Sequence, residues 1–234
     1  MIMVDRISKE YGRKQAVNEV SFTVEPGTVT GLIGPNGAGK STTLRILLGL
    51  TRPTSGEATV KGRRYREIPF PLYTVGALLD NSMPVPERRA VDHLMWIAHS
   101  NGIPRKRVME VLSEVGLEEN ARTRVKKYSL GMKQRLGIAV VLLGKPEVIV
   151  LDEPMNGLDP EGIHWIRSFM RERAESGVTV LVSSHFMKEL ESVADKVVLL
   201  AHGRVRADGA ISDIVSGYPS LEDAYFELTR KETG

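Results

Sequence analysis

Residues Gly34 to Thr42 read GPNGAGKST and match the pattern G-x-x-x-x-G-K-[ST] in full. An apolar run, Val29 to Ile33, precedes them and a helical pattern from about Gly39 to Leu50 follows, which is the order strand, phosphate loop, helix. The chemistry open to such a loop is the binding of phosphate. Gly34, Gly37 and Gly39 let the main chain approach phosphate oxygens, Pro35, Asn36 and Ala38 complete the loop, and successive N–H groups at the helix start form an anion nest. Lys40 supplies positive charge to β- and γ-phosphates, Ser41 offers a hydroxyl to Mg²⁺, and Thr42 adds a phosphate contact. The context argues against a chance glycine turn, but on this loop alone another kind of nucleotidase fits equally well.

The acids that the loop lacks stand in VIVLDEP, Val148 to Pro154. Neighbouring side chains on a strand face opposite ways, so Asp152 and Glu153 can share a site only where the strand ends. Pro154 predicts that ending. Asp152 is then placed to hold Mg²⁺ with Ser41, and Glu153 to polarise a water that attacks a γ-phosphate. The bland reading of two adjacent acids is a solvated turn; the apolar residues before them and the phosphate loop upstream make it the weaker one.

Between these motifs lies YSLGMKQR, Tyr128 to Arg135. Ser129 begins a helix, and the free N–H groups and positive dipole end of that helix attract an anion. Taken alone, Ser129 need only cap its own helix. The order of GPNGAGKST, YSLGMKQR, VIVLDEP and MNGLDP resembles the nucleotide-binding subunit of an ATP-binding cassette (ABC) transporter. Its signature, usually written LSGGQ and followed by a basic, polar run, is kept at Ser129, Gly131, Gln134 and Arg135 and departs at Tyr128, Leu130 and Met132.

That resemblance implies ATP with Mg²⁺ and a head-to-tail homodimer. In it the Ser129 hydroxyl and Gly131 N–H of one subunit meet the γ-phosphate held by the other subunit's Lys40. It implies that Asp159, in MNGLDP, lies at the dimer seam while also capping the helix behind Pro160. His185, after VTVLVSS, is expected to contact the γ-phosphate and order the attacking water, and Tyr11 to stack on adenine, an ordinary strand tyrosine being the alternative. Asp80, in VGALLDNSMP, stands where the family commonly has Gln. An acid there resembles the antibiotic- and bacteriocin-exporting subgroup, and it can still face Mg²⁺ and couple the nucleotide site to a membrane partner.

The elements that position these residues read as an α/β fold. Val148 to Leu151, Val178 to Val182 and Val197 to Leu200 are continuously apolar save for Thr179, as strands buried on both faces of a parallel sheet are. Alternation in Val20, Phe22 and Val24 predicts an N-terminal antiparallel layer. From about Met83 to Lys145 the period becomes helical: Val91, Leu94, Met95 and Ala98 share one stripe, as do Val108, Val111, Leu112 and Val115. The expected organisation is a phosphate-loop core of residues 1–82 and 146–234 with a mostly parallel sheet, and a helical subdomain inserted at 83–145. A last amphipathic helix begins near 219, carrying Leu221, Ala224, Tyr225 and Leu228, with no evident partner.

Composition bounds the rest. The 234 residues suffice for one sizeable domain with a subdomain. A formal charge of +3 requires no one-sign field; KGRRYR, PRKR and RTRVKK read as solvated faces, with anionic lipid or nucleic acid as the lesser reading. The absence of cysteine excludes disulfides and thiolate metal sites. There is no secretory signal pattern, and no apolar run nears the roughly 18 residues of a membrane span. The expectation is an ATPase on the cytoplasmic face of the membrane, energising a separately encoded permease for export of a drug, peptide or lipid-like molecule, with no nucleic acid bound. A soluble ABC-type ATPase acting on nucleic acid or the ribosome is the runner-up. A regulatory module without turnover is the third reading, disfavoured by Glu153 and His185.

Overall fold

A computed structural model describes residues 1–79 and 84–230. In chain order the elements are β1 (Ile2–Tyr11), β2 (Lys14–Val24), β3 (Val29–Ile33), α1 (Lys40–Leu47), β4 (Ser55–Val60), β5 (Val75–Leu78), α2 (Ala90–Ser100), α3 (Arg105–Glu114) and α4 (Leu130–Leu142). They continue as β6 (Val148–Asp152), α5 (Pro160–Glu175), β7 (Thr179–Ser184), α6 (Met187–Glu191), β8 (Lys196–Ala201), β9 (Arg204–Ala210), α7 (Ile211–Ile214) and α8 (Leu221–Arg230).

Two sheets carry the fold. The antiparallel sheet has the order β2-β1-β4, and the larger sheet the order β5-β6-β7-β3-β8-β9. Its pairings are parallel from β5 through β8, and β9 closes it antiparallel to β8. This is the expected α/β architecture with its N-terminal antiparallel layer.

The apolar strands are buried on both faces because successive side chains enter different cores. Val148, Val150, Leu181 and Val198 join a cluster with Val4, Val20, Phe22 and Leu44, between the two sheets. Ile149, Leu151, Val180, Val182 and Val197 join the other cluster, which reaches Leu94, Val108, Val111, Leu112 and Leu136 on α2, α3 and α4. Both predicted helical stripes therefore face apolar packing.

Three local features differ from the sequence reading or add to it. Helix α1 stops at Leu47 and leaves Leu50 58% exposed, because Gly49 takes a left-handed φ of 67° just past its end. Strand β9, RVRADGA, is half-buried and polar, so it lacks the apolar run that marks its neighbours. Helix α8 has its partner inside the chain: Leu221 N–H donates to Glu191 Oε2 at 3.0 Å, and the Tyr225 hydroxyl to Leu200 O at 3.4 Å.

Candidate nucleotide site

Strand β3 lies between β7 and β8, so the loop leaving Ile33 emerges at the carboxyl edge of the sheet beside the ends of β6 and β7. That edge is where open α/β sheets bind ligands. Gly39 caps α1 with φ 107°, and a Cβ there would stand 2.7 Å from Ala16 O; the turn into the helix therefore demands glycine. Lys40 opens α1 and folds back over the loop, donating to Gly34 O at 2.7 Å and Pro35 O at 3.3 Å.

The two acids at the end of β6 reach different partners because the strand stops between them. Asp152 is the last strand residue, paired with Ser183 of β7. Glu153 takes a left-handed φ of 51°, sparsely populated by residues with a side chain. Its N–H is held by Ser183 O and Ser183 Oγ, both at 3.1 Å. Asp152 Oδ1 accepts from Ser41 Oγ at 3.2 Å and from Ser183 Oγ at 2.5 Å. Glu153 Oε1 pairs with Lys40 Nζ at 3.0 Å, and Glu153 Oε2 lies 2.9 Å from His185 Nδ1. The His185 ring stands 4.1 Å from that of Phe186.

A cavity of about 490 Å³ joins these groups. The phosphate loop, Glu153 and His185 line it, with Tyr11, Lys14 and Asn156 at its sides. Tyr11 is half exposed, with Lys9 Nζ 5.1 Å from its ring centroid, so one aromatic surface is available beside the loop. Ser129, Gly131 and Asp159 are absent from that lining. Ser129 caps α4, its hydroxyl accepting from Met132 N–H at 3.2 Å, and a Cβ on Gly131 would meet nothing nearer than Ser129 Oγ at 4.0 Å. Asp159 caps α5 by accepting from Gly162 N–H at 2.9 Å. The capping readings of Ser129 and Asp159 therefore hold within the chain. Asp80 lies outside the described residues.

Ser183 had no part in the sequence reading, and Gln134 entered it only as a kept residue of the signature. Ser183 touches both acids, and its only signal was a polar pair ending the apolar run VTVLV. Gln134 Nε2 donates to Pro154 O at 2.8 Å, tying α4 to the residue after Glu153. Tyr128, which departs from the signature pattern, is buried and donates to Asn120 O at 2.8 Å; burial pushes its phenol above the usual range.

The chain is similar to known proteins over most of its length. A family model described as ABC transporter matches residues 17–156. A lantibiotic transport ATP-binding protein of Streptococcus pyogenes is 36% identical over 205 residues, covering 88% of this chain and 89% of the relative. A bacitracin transport ATP-binding protein of Enterococcus faecalis is 37% identical over 217 residues, covering 92% of this chain and 70% of the relative. A solved structure of an ATP-binding subunit of an ABC transporter superposes with a TM-score of 0.86 at 32% identity, covering 98% of this chain and 99% of that one. A dimeric bacterial ABC transporter cassette superposes with a TM-score of 0.80 at 25% identity, covering 90% and 99%.

Proposed function

The chain belongs to the ABC transporter family as an ATP-binding, ATP-hydrolysing subunit, and from that premise we propose how its residues divide the work. The observation that carries the proposal is the contact series Lys40, Glu153, His185 along one cavity, with Ser41 and Asp152 beside it. The loop N–H groups from Gly34 to Thr42 hold the phosphates, Lys40 their charge, and Tyr11 the adenine.

Lys40 is engaged by Glu153. An arriving γ-phosphate competes for the ammonium and releases the carboxylate, so Glu153 becomes free to accept a proton from water only with substrate in place. His185, against Glu153 Oε2, orients that water and contacts the phosphate.

The residues fit Mg²⁺. Ser41 Oγ and Asp152 Oδ1 are hard oxygen donors 3.2 Å apart, and no group of three ligating His, Cys, Asp or Glu side chains exists among the described residues. An ion held by one carboxylate, a hydroxyl and the substrate's own phosphates matches how Mg²⁺ binds. When bound, it neutralises charge on the phosphate oxygens. Asp80 is proposed to face the same ion.

Ser129, Gly131 and Asp159, outside the cavity of their own chain, serve a second copy in a head-to-tail homodimer. The helical insert at 83–145 carries Ser129 and Gly131 to that partner. No helix among the described residues is long and apolar enough to cross a membrane, which suits a subunit working on the cytoplasmic face against a separately encoded permease. The lantibiotic and bacitracin transport relatives favour export of a peptide antibiotic over action on nucleic acid.

The test is Glu153→Gln. Turnover is expected to fall by about 10²–10³-fold, while Mg-ATP binding persists and size-exclusion chromatography shows an ATP-dependent dimer. A variant that stays monomeric at saturating Mg-ATP counts against the shared site; unchanged turnover counts against Glu153 as the base.

A further inference from the structure

We propose that Gln134 is a positioning residue for Glu153: it fastens the helix that begins at Ser129 to the loop of the chain's own hydrolytic carboxylate. The proposal rests on the shared-site homodimer put forward above. Residues 130 and 134 lie one turn apart on the same face of α4, and both grip the segment that follows Glu153. Gln134 Nε2 donates to Pro154 O at 2.8 Å. Leu130 packs over Gly157, where an added Cβ would stand 2.7 Å from Leu130 Cδ2.

Apart from these two grips the segment is anchored by Met155, buried in the core, and by Leu158 packed against it. It opens at Glu153 with a left-handed φ and turns by Asn156 N–H donating to Glu153 O at 3.2 Å and Leu158 N–H to Met155 O at 3.3 Å. It then ends at the cap Asp159. Pro154 has no N–H, so its carbonyl is the one polar main-chain group of that residue, and Gln134 takes it. A shift of α4 along its axis therefore pulls on the peptide directly after Glu153. The amino end of that same helix carries Ser129 and Gly131, the groups assigned to the partner's nucleotide. Engagement of the partner's phosphate is thus transmitted through Gln134 to the carboxylate on the near side. Leu130, a departure from the glycine of the family pattern, adds a second grip on the same loop.

Mixed dimers test this. One chain carries Glu153→Gln, leaving a single hydrolytic carboxylate, and two affinity tags isolate the mixed species in Mg-ATP. Gln134→Ala is placed either on the chain with intact Glu153 or on the Glu153→Gln chain. The expected result is a fall in kcat of about tenfold in the first arrangement, KM for ATP staying within about twofold, and a change below about twofold in the second. Gln134→Glu, which keeps the shape and removes the donor, is expected to reproduce the alanine effect.

Loss confined to the second arrangement, equal loss in both, or loss in neither overturns the proposal. If Glu153→Gln forms no ATP-dependent dimer, the shared-site reading fails instead. Gln134→Glu in a uniform population then decides for the positioning role itself, an unchanged kcat overturning it.

Discussion

Lys40 Nζ stands 3.0 Å from Glu153 Oε1, with only 5% and 8% of the two side chains exposed. The pair joins the lysine proposed to bind phosphate to the proposed general base, so each group masks the other before substrate arrives. Removing one member of a buried pair strands the other charge, whereas removing both does not. Lys40→Met is expected to destabilise the fold by about 3 kcal/mol, and adding Glu153→Gln to recover most of that loss without recovering activity. Urea unfolding of the two single variants and the double variant measures the coupling; simple additivity would show that the pair contributes no such interaction.

Ser183 bonds both acids at once, donating to Asp152 Oδ1 and accepting from Glu153 N–H. It is fully buried, so Ser183→Ala leaves those partners without replacement from bulk water. Groups that orient a metal-holding carboxylate typically affect metal affinity by about 10–100-fold. The Mg²⁺ concentration for half-maximal turnover is therefore expected to rise about tenfold or more, a titration of ATPase rate against Mg²⁺ at saturating ATP being the measurement. An unmoved titration curve with lowered kcat would restrict Ser183 to holding Glu153.

The reasons some of this was legible in the amino-acid order, and some not, are physical. Strands β6 and β7 announced themselves because burial on both faces leaves no polar position between Val148 and Leu151 and, between Val178 and Val182, none but Thr179. Strand β9 did not, since a half-buried strand spelling RVRADGA has no apolar run. The phosphate loop and both acids were readable from residue type and spacing. The Lys40 to Glu153 contact was not, because it depends on Glu153 adopting φ 51°, a conformation that β6's alternation argues against and that Ser183 holds. Helix α8 showed an apolar stripe without an owner; the Glu191 and Leu200 contacts that receive it come from packing between distant segments.

Leu130 was legible only as a departure from the family pattern, and its neighbour explains it. Gly157 has φ 69°, and its missing Cβ leaves the space that Leu130 Cδ2 fills. Gly157→Ala incurs both left-handed strain and this clash, together about 1–3 kcal/mol. Leu130→Gly should relieve the clash and leave the strain, so the double variant is expected to be more stable than the sum of the singles predicts. Thermal unfolding of the cycle checks this. Strict additivity would mean that Leu130 moves aside at no cost.

His93 gives the chain a pH dependence separate from the nucleotide site. It sits half-buried on α2, its Nδ1 is buried without a hydrogen-bond partner among the described residues, and burial, with a smaller contribution from Arg88, lowers its pKa below the usual 6.5. The unfolded chain therefore takes up a proton near pH 6.5 that the folded chain still refuses. Stability from this residue is complete above that pH and is lost as the pH falls toward the folded pKa, because protons then bind preferentially to the unfolded state. His93→Leu removes the titration while retaining an apolar body in the helix. Unfolding free energies measured from about pH 7.5 to about pH 5 are expected to fall less steeply for the variant, with the acids and His185 common to both proteins. Parallel slopes would show that His93 is protonated as easily in the fold as outside it.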